Sequence, residues 1–327
     1  MSGGDHDFDP QALGEPGADL TELKAEELSD SYRDASARSF EFDPSSVPAD
    51  YPIVEAFGYP PDADSAAAED ARSRCWCPFM DQPCTKLIGP AATGICSIRY
   101  RAEGFGETTW AICQHRLKGA PFQEAVARHF GPRAAEASLV TELRLDKPRM
   151  SLDGVGALAK DGKVEDLVGI EAQTIDTRGG SLKPLWDSFV KGRPDRWREG
   201  YPKGPKFGVN TTNVWKRLLP QVMNKGRLYR GWYSKLFVVL QDPVFQFIAR
   251  RMPLERLPRQ AAGGAEIVWL LWDFEDGEPR DAKTGMLRSG VGEAVYTTID
   301  QVEDAFVSIA FTPKNEFLKR LLRKLDR

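Results

Sequence analysis

One stretch constrains the fold of this chain more than any other: SLDGVGALAKDGKVEDLVGIEAQTID, residues 151–176. Two strand-forming runs, 152–158 and 167–175, flank Asp161-Gly162, and an Asp-Gly pair between such runs is a strong hairpin signal. Side chains alternate along a strand, so Glu171 and Gln173 share one face while Ile170 and Ala172 point the other way. Val168 and Ile170 give that second face an apolar surface to bury. A glutamate projecting from such a strand costs free energy unless it finds a partner. Asp153, on the neighbouring strand, offers a second carboxylate close to the first. Two carboxylates in one cleft repel, and a hard divalent cation relieves the repulsion. Mg²⁺ takes one or two carboxylates and keeps several waters for chemistry. The competing reading is a surface hairpin with scattered acids, and Asp…Glu-x-Gln by itself does not separate the two.

Charge distribution bears on that choice. The formal net charge of −4 conceals a division. Residues 1–70 hold 18 Asp or Glu against Lys24, Arg33 and Arg38, a balance of −15, whereas the remainder carries 41 basic and 30 acidic residues, a balance of +11. An acidic head on a basic body indicates a polyanionic partner for the body; solvated faces of opposite sign are the plainer alternative. From Lys183 to Lys235 there are 13 Lys or Arg and three acids, interleaved with Trp, Tyr, Pro and Gly, a pattern suited to phosphate backbones. Residues 1–50 read as an acidic, partly disordered extension with a short helix at 19–33, and the ordered chain is expected from Tyr51 onward. The first ten residues are too polar for a signal peptide, and no apolar run reaches a membrane-spanning length, so a cytoplasmic protein is expected.

Five cysteines fall between Cys75 and Cys113. Cys77, Cys84, Cys96 and Cys113 each lie beside turn-forming or strand-end residues, and four thiolates gathered by short loops suit a borderline-soft metal in tetrahedral geometry. The spacing is not that of paired Cys-x-x-Cys knuckles. Cys75 is the expected non-ligand, and His115 competes with Cys113 for a place. Buried free cysteines are the alternative, though a disfavoured one at this density.

The other elements follow from periodicity. Residues 121–147 carry a helical pattern with Phe122, Val126 and Phe130 on one face, broken at Gly131-Pro132. Residues 213–222 read as a helix capped by Thr211, Thr212 or Asn213, with Val214, Leu218 and Val222 inward and Lys216, Arg217 and Gln221 outward; Pro220 bends or ends it. Buried strands at 236–241, 264–275 and 294–300, with helices between and after them, imply an α/β (α+β) fold with a mixed central sheet flanked by helices. The tail forms a basic amphipathic helix capped by Thr312, and its stripe of Leu318, Leu321, Leu322 and Leu325 is expected to dock on the body or a second subunit.

Four blocks resemble the NotI-type type II restriction endonucleases, a family that includes the Eag-type enzymes reading shorter GC-rich sites. CPFMDQPCTK with GICSI resembles the family's cysteine region, and AICQHR its closing Cys-Pro-Asn-Arg block. GIEAQTIDTRGGS resembles its Glu-Ile-Gln-Thr-Met-Asp strand and following turn. NVWKRLLPQV resembles its Asn-Val-Phe-Lys-Arg helix with a Gln further on. The order of blocks agrees, over about residues 51–309. Gln114-His115 in place of Pro-Asn, the Thr177-Arg178 loop and the acidic head depart from the pattern.

The resemblance implies a PD-(D/E)xK nuclease core over 121–327 and a small Cys₄ metal-binding module over 51–120. Asp153 and Glu171 would hold catalytic Mg²⁺, with Gln173 at the usual lysine position. Cys77, Cys84, Cys96 and Cys113 would hold a structural iron, with zinc as the alternative. The expected activity is that of a homodimeric type II restriction endonuclease from a bacterial restriction–modification system, hydrolysing double-stranded DNA at a GC-rich palindrome. Candidate DNA contacts are Arg178, Ser181 and Lys183 after the catalytic strand, and Asn213, Lys216, Arg217 and Gln221 on the following helix. The rival functions are a non-catalytic, metal-stabilised DNA-binding regulator and a repair or modification-dependent nuclease.

Overall fold

The computed structural model describes residues 43–87, 93–147, 149–179, 182–204, 207–250, 264–307 and 313–325. The cysteine-bearing region comprises β1 (Ile53–Ala56), α1 (Ala66–Ser73), β2 (Trp76–Cys77), β3 (Gln82–Pro83), β4 (Ile95–Ala102) and β5 (Gly106–Ala111). Helices α2 (His115–Lys118) and α3 (Ala120–Phe130) lead into β6 (Ser138–Asp146), β7 (Arg149–Lys160) and β8 (Lys163–Gln173). Then come β9 (Asp176–Gly179), α4 (Lys183–Val190), β10 (Phe207–Asn210), α5 (Thr211–Gly231), β11 (Lys235–Gln241), α6 (Asp242–Ala249), β12 (Ile267–Phe274), β13 (Ser289–Thr297), α7 (Ile299–Val307) and α8 (Lys314–Leu325).

Six strands form the central sheet in the order β13-β12-β11-β8-β7-β6. β11 runs parallel to both β8 and β12, and the remaining pairs are antiparallel. Parallel neighbours need a crossover, which α5 supplies between β8 and β11, and α6 between β11 and β12. Alternation then sorts the two faces. Val168, Ile170, Phe237 and Val239 pack with Phe122 and Val126 of α3 on one side. Leu236, Val238, Trp269 and Leu271 pack with Val214, Leu218 and Val222 of α5 on the other.

The cysteine-bearing region is tied into this core by buried polar groups. Gln241, at the end of β11, accepts from the Ala111 N–H at 3.0 Å and donates to the Asp273 carboxylate at 2.8 Å. Arg116 pairs with Glu55 at 3.1 Å, donates to the Leu287 carbonyl, and lies over the rings of Phe79 and Trp272.

Several expectations need correction. The helical pattern of 121–147 holds only to Phe130; after a short 3-10 turn the chain becomes β6, whose half-exposed alternation suits an edge strand against β7. Helix α5 runs past Pro220 to Gly231, and its cap is Asn210, whose side chain accepts from the Asn213 N–H. Pro220 is exposed within this helix, with the apolar stripe continuing below it. The leucine stripe of α8 stays exposed among the described residues and does not dock on the body. Thr312 and the 19–33 helix lie outside the described residues. No described helix is long and apolar enough to cross a membrane.

Candidate active site

The β7–β8 hairpin turns at Asp161 and Gly162, both with positive φ (51° and 75°), the conformation that Asp-Gly tolerates best. Its ladder pairs Gly154 with Ile170, and one further step sets Asp153 opposite Glu171. There the Ala172 N–H donates to Asp153 Oδ2 at 2.9 Å, fixing that carboxylate beside its neighbour. On the other side, Glu171 is level with Val238 of β11. Glu171 is thus 3% exposed between a carboxylate and an apolar wall. Burial first, and the Asp153 charge second, push its pKa up to about 7, against the opposing pull of Lys225.

Lys225 comes from α5. It is 4% exposed and forms a buried ion pair with Glu171 through Oε2. One turn later, Tyr229 lies over Gly169: a Cβ at that glycine would fall 2.2 Å from the tyrosine ring. The close approach requires glycine at 169 and holds α5 tight against β8. The Tyr229 hydroxyl, buried near Glu171, has no hydrogen-bond partner among the described residues. Gln173 donates its amide to the Thr174 carbonyl at 2.6 Å, a bond that engages its own strand end and not the carboxylates.

Neither Lys225 nor Tyr229 was expected from the strand motif. A signal for both exists: Val214, Leu218, Val222, Lys225 and Tyr229 continue one helical stripe, so a lysine and a tyrosine occupy positions that should be apolar.

The candidate DNA contacts divide. β9 pairs with β10, Arg178 opposite Gly208, and β10 runs directly into α5. Arg217 reaches back to Asp176 of β9 at 3.1 Å, while Lys216 and Gln221 are exposed. The β9–β10 ribbon, Asn213 and Arg217 therefore gather at the first turns of the helix that later delivers Lys225. Lys183 pairs with Asp187 at 2.8 Å on α4. The Arg178 side chain and Ser181 lie outside the described parts of the chain.

All five cysteines are free thiols and buried. The Cys96 thiol donates to the Gly94 carbonyl at 3.7 Å, and Cys113 is electrostatically linked to Cys77, Cys84 and Cys96. Nearby backbone N–H groups act to lower three of these thiols: those of Phe79 and Met80 on Cys77, Lys86 on Cys84, and His115 and Arg116 on Cys113. Burial raises the Cys77 thiol and pushes Cys84 up to about 12, whereas the neighbouring Cys96 lowers Cys113. The Cys75 thiol donates to the Arg72 carbonyl at 3.8 Å, and the Cys75 carbonyl accepts from the Cys84 N–H at 2.8 Å. His115 bonds Thr85 through Nε2 at 3.1 Å, and its buried Nδ1 has no partner among the described residues. Among the described residues, no group of three or more histidine, cysteine, aspartate or glutamate side chains is placed so that it could hold a metal ion.

No curated protein matches the chain. The family model of the restriction endonuclease NotI matches residues 64–285, about two thirds of the length. That span takes in the cysteines, both carboxylate strands and all of α5. By this match, the chain belongs to the NotI restriction endonuclease family, whose members cut DNA.

Proposed function

We propose that this protein is a Mg²⁺-dependent type II restriction endonuclease of PD-(D/E)xK type that hydrolyses double-stranded DNA at a GC-rich palindrome. The observation that carries the reading is the pairing of half-buried Asp153 with buried Glu171, cross-strand neighbours at the end of a ladder on the sheet face that α5 covers. A carboxylate pushed up to about 7 by its surroundings is one that a divalent cation would relieve. Asp153 and Glu171 would hold Mg²⁺, which supplies Lewis-acid stabilisation of phosphate charge and a more acidic water. The protein's own part is to fix the Asp153 carboxylate through the Ala172 N–H and to keep Glu171 dry beside Lys225. Gln173, neutral, can only orient by hydrogen bonding.

Arg178, Ser181, Lys183, Asn213, Lys216, Arg217 and Gln221 would hold and read the duplex, with Arg or Lys suited to guanine O6 and N7. A palindrome presents two half-sites, so a two-fold homodimer with one centre per strand is the matching assembly.

We infer a metal at the cysteine cluster from the chemistry of its donors alone. Four buried thiols cannot all ionise together without a cation. Cys77, Cys84, Cys96 and Cys113 would hold iron, or zinc, as a structural ion joining β2, β4 and the turn before α2.

The test is plasmid cleavage. Purified protein with Mg²⁺ should nick and linearise supercoiled DNA. Asp153→Ala and Glu171→Ala should abolish cutting while leaving DNA binding in Ca²⁺ intact. Binding without Mg²⁺-dependent cutting by the wild type would instead describe a DNA-binding regulator.

A further inference from the structure

The strand motif leaves the site without a cation of its own, because position 173 is glutamine and its amide is engaged by the Thr174 carbonyl. A buried lysine stands at the same carboxylate, reaching it from a different element. We propose that Lys225, on α5, is the ammonium of this nuclease centre, meeting the scissile phosphate beside Glu171 in place of a lysine at position 173. The inference rests on reading Asp153 and Glu171 as the cleavage centre.

Three observations support it. First, Lys225 interrupts an apolar stripe, where a leucine or methionine would pack without desolvating a charge. Buried ion pairs replaced by apolar groups are often neutral or stabilising, so folding alone does not call for this pair. Second, α5 is held against β8 at Gly169, where any side chain would strike Tyr229, and this close approach lets the Lys225 amine reach Glu171. Third, the same helix begins at the β9–β10 ribbon and carries Asn213 and Arg217 in its first turns. A duplex bound there would lie along the element that bears the ammonium.

In the reaction, the oxygen of water bonds to phosphorus as the bond from phosphorus to the leaving sugar oxygen breaks. The water gives a proton to solvent and the leaving oxygen takes one. Lys225 gains and loses no proton over the cycle; its charge stabilises the phosphate oxygens as their negative charge grows.

The alternative is that Lys225 only neutralises Glu171. Supercoiled plasmid DNA, single-turnover cleavage by the full chain and titration with Mg²⁺ separate the two. Lys225→Met should cut at least about 100-fold more slowly, the scale of losing one charge-stabilising group. DNA binding in Ca²⁺ should stay near wild type, and half-maximal cutting should need less Mg²⁺, because a competing cation has left Glu171. Adding Gln173→Lys to Lys225→Met should recover at least about tenfold of the rate by restoring a strand-borne ammonium. Should Lys225→Met fail to fold, Lys225→Gln, which keeps a donor to Glu171, is held to the same limits. Cutting near the wild-type rate by the folded variant overturns the proposal. So does a loss that Gln173→Lys leaves unrelieved. A wild-type protein that cuts no DNA in Mg²⁺ removes the nuclease reading itself, whereas equal cutting by wild type and variant removes only Lys225.

Discussion

Gly169→Ala adds one methyl group at the point where α5 touches the catalytic strand. The new Cβ would lie 2.2 Å from Cε2 and Cζ of Tyr229, and 2.6 Å from its hydroxyl. Carbon atoms rest at about 3.5–4.0 Å, so the ring, or the helix beneath it, must withdraw by more than about 1 Å. The glycine does not have a positive φ, so the alanine backbone itself is unstrained and the cost is steric. Overpacking of this kind costs about 1–3 kcal/mol. Lys225 sits one turn from Tyr229, so a withdrawal of the helix carries the ammonium away from Glu171. Misplacement by about 1 Å costs on the order of 100-fold in rate. Urea unfolding and plasmid cleavage read the two effects separately. Tyr229→Leu lacks the three clashing atoms, so Gly169→Ala/Tyr229→Leu should be less destabilised than the two single changes summed, by about 1 kcal/mol or more. Stability of Gly169→Ala within about 0.5 kcal/mol of wild type, with purely additive effects, would refute the packing described.

Other outcomes follow from the same geometry. With metal chelated by EDTA, Glu171 has a pKa of about 7 against an ordinary 4.5. A raised carboxyl stabilises most below its unfolded pKa and loses that contribution as pH climbs through the folded one, here roughly 3 kcal/mol. The stability difference between wild type and Glu171→Gln should therefore shift between pH 5 and pH 8 in urea melts, and a constant difference would contradict the burial of this group. Arg116→Met leaves Glu55 charged and buried, which should cost about 3–5 kcal/mol; Glu55→Gln on top should return part of it. Elemental analysis should find about one iron or zinc per chain, and Cys96→Ser should lower both metal content and melting temperature. A metal-free protein with an unchanged melting temperature would end the metal reading of the cysteines.

The β7–β8 hairpin was legible because its signals are local. Asp-Gly supplies the turn, and strict alternation from Val168 to Gln173 assigns each residue a face. The strands of the core were legible for the same reason, as short runs of buried apolar residues. Residues 138–146 were not, because LVTEL has the spacing of an amphipathic helix, and only pairing with β7 makes it a strand. Lys225 lies 54 residues beyond Glu171, past a proline that suggested the helix had ended. No motif joins residues so far apart; the chain brings them together through the crossover that makes β8 and β11 parallel. What could be read locally was the anomaly, a lysine on an apolar stripe.

The central claim is that Asp153 and Glu171 share one divalent ion at the point of DNA cleavage. Electron paramagnetic resonance of Mn²⁺ titrated into the DNA-bound protein tests it directly. The account predicts an ion bound per chain in the wild type that is lost in both Asp153→Ala and Glu171→Ala and retained when Asp273, a half-buried acid on β12, is replaced by asparagine. Undiminished Mn²⁺ binding in Glu171→Ala, with DNA still bound, would contradict it.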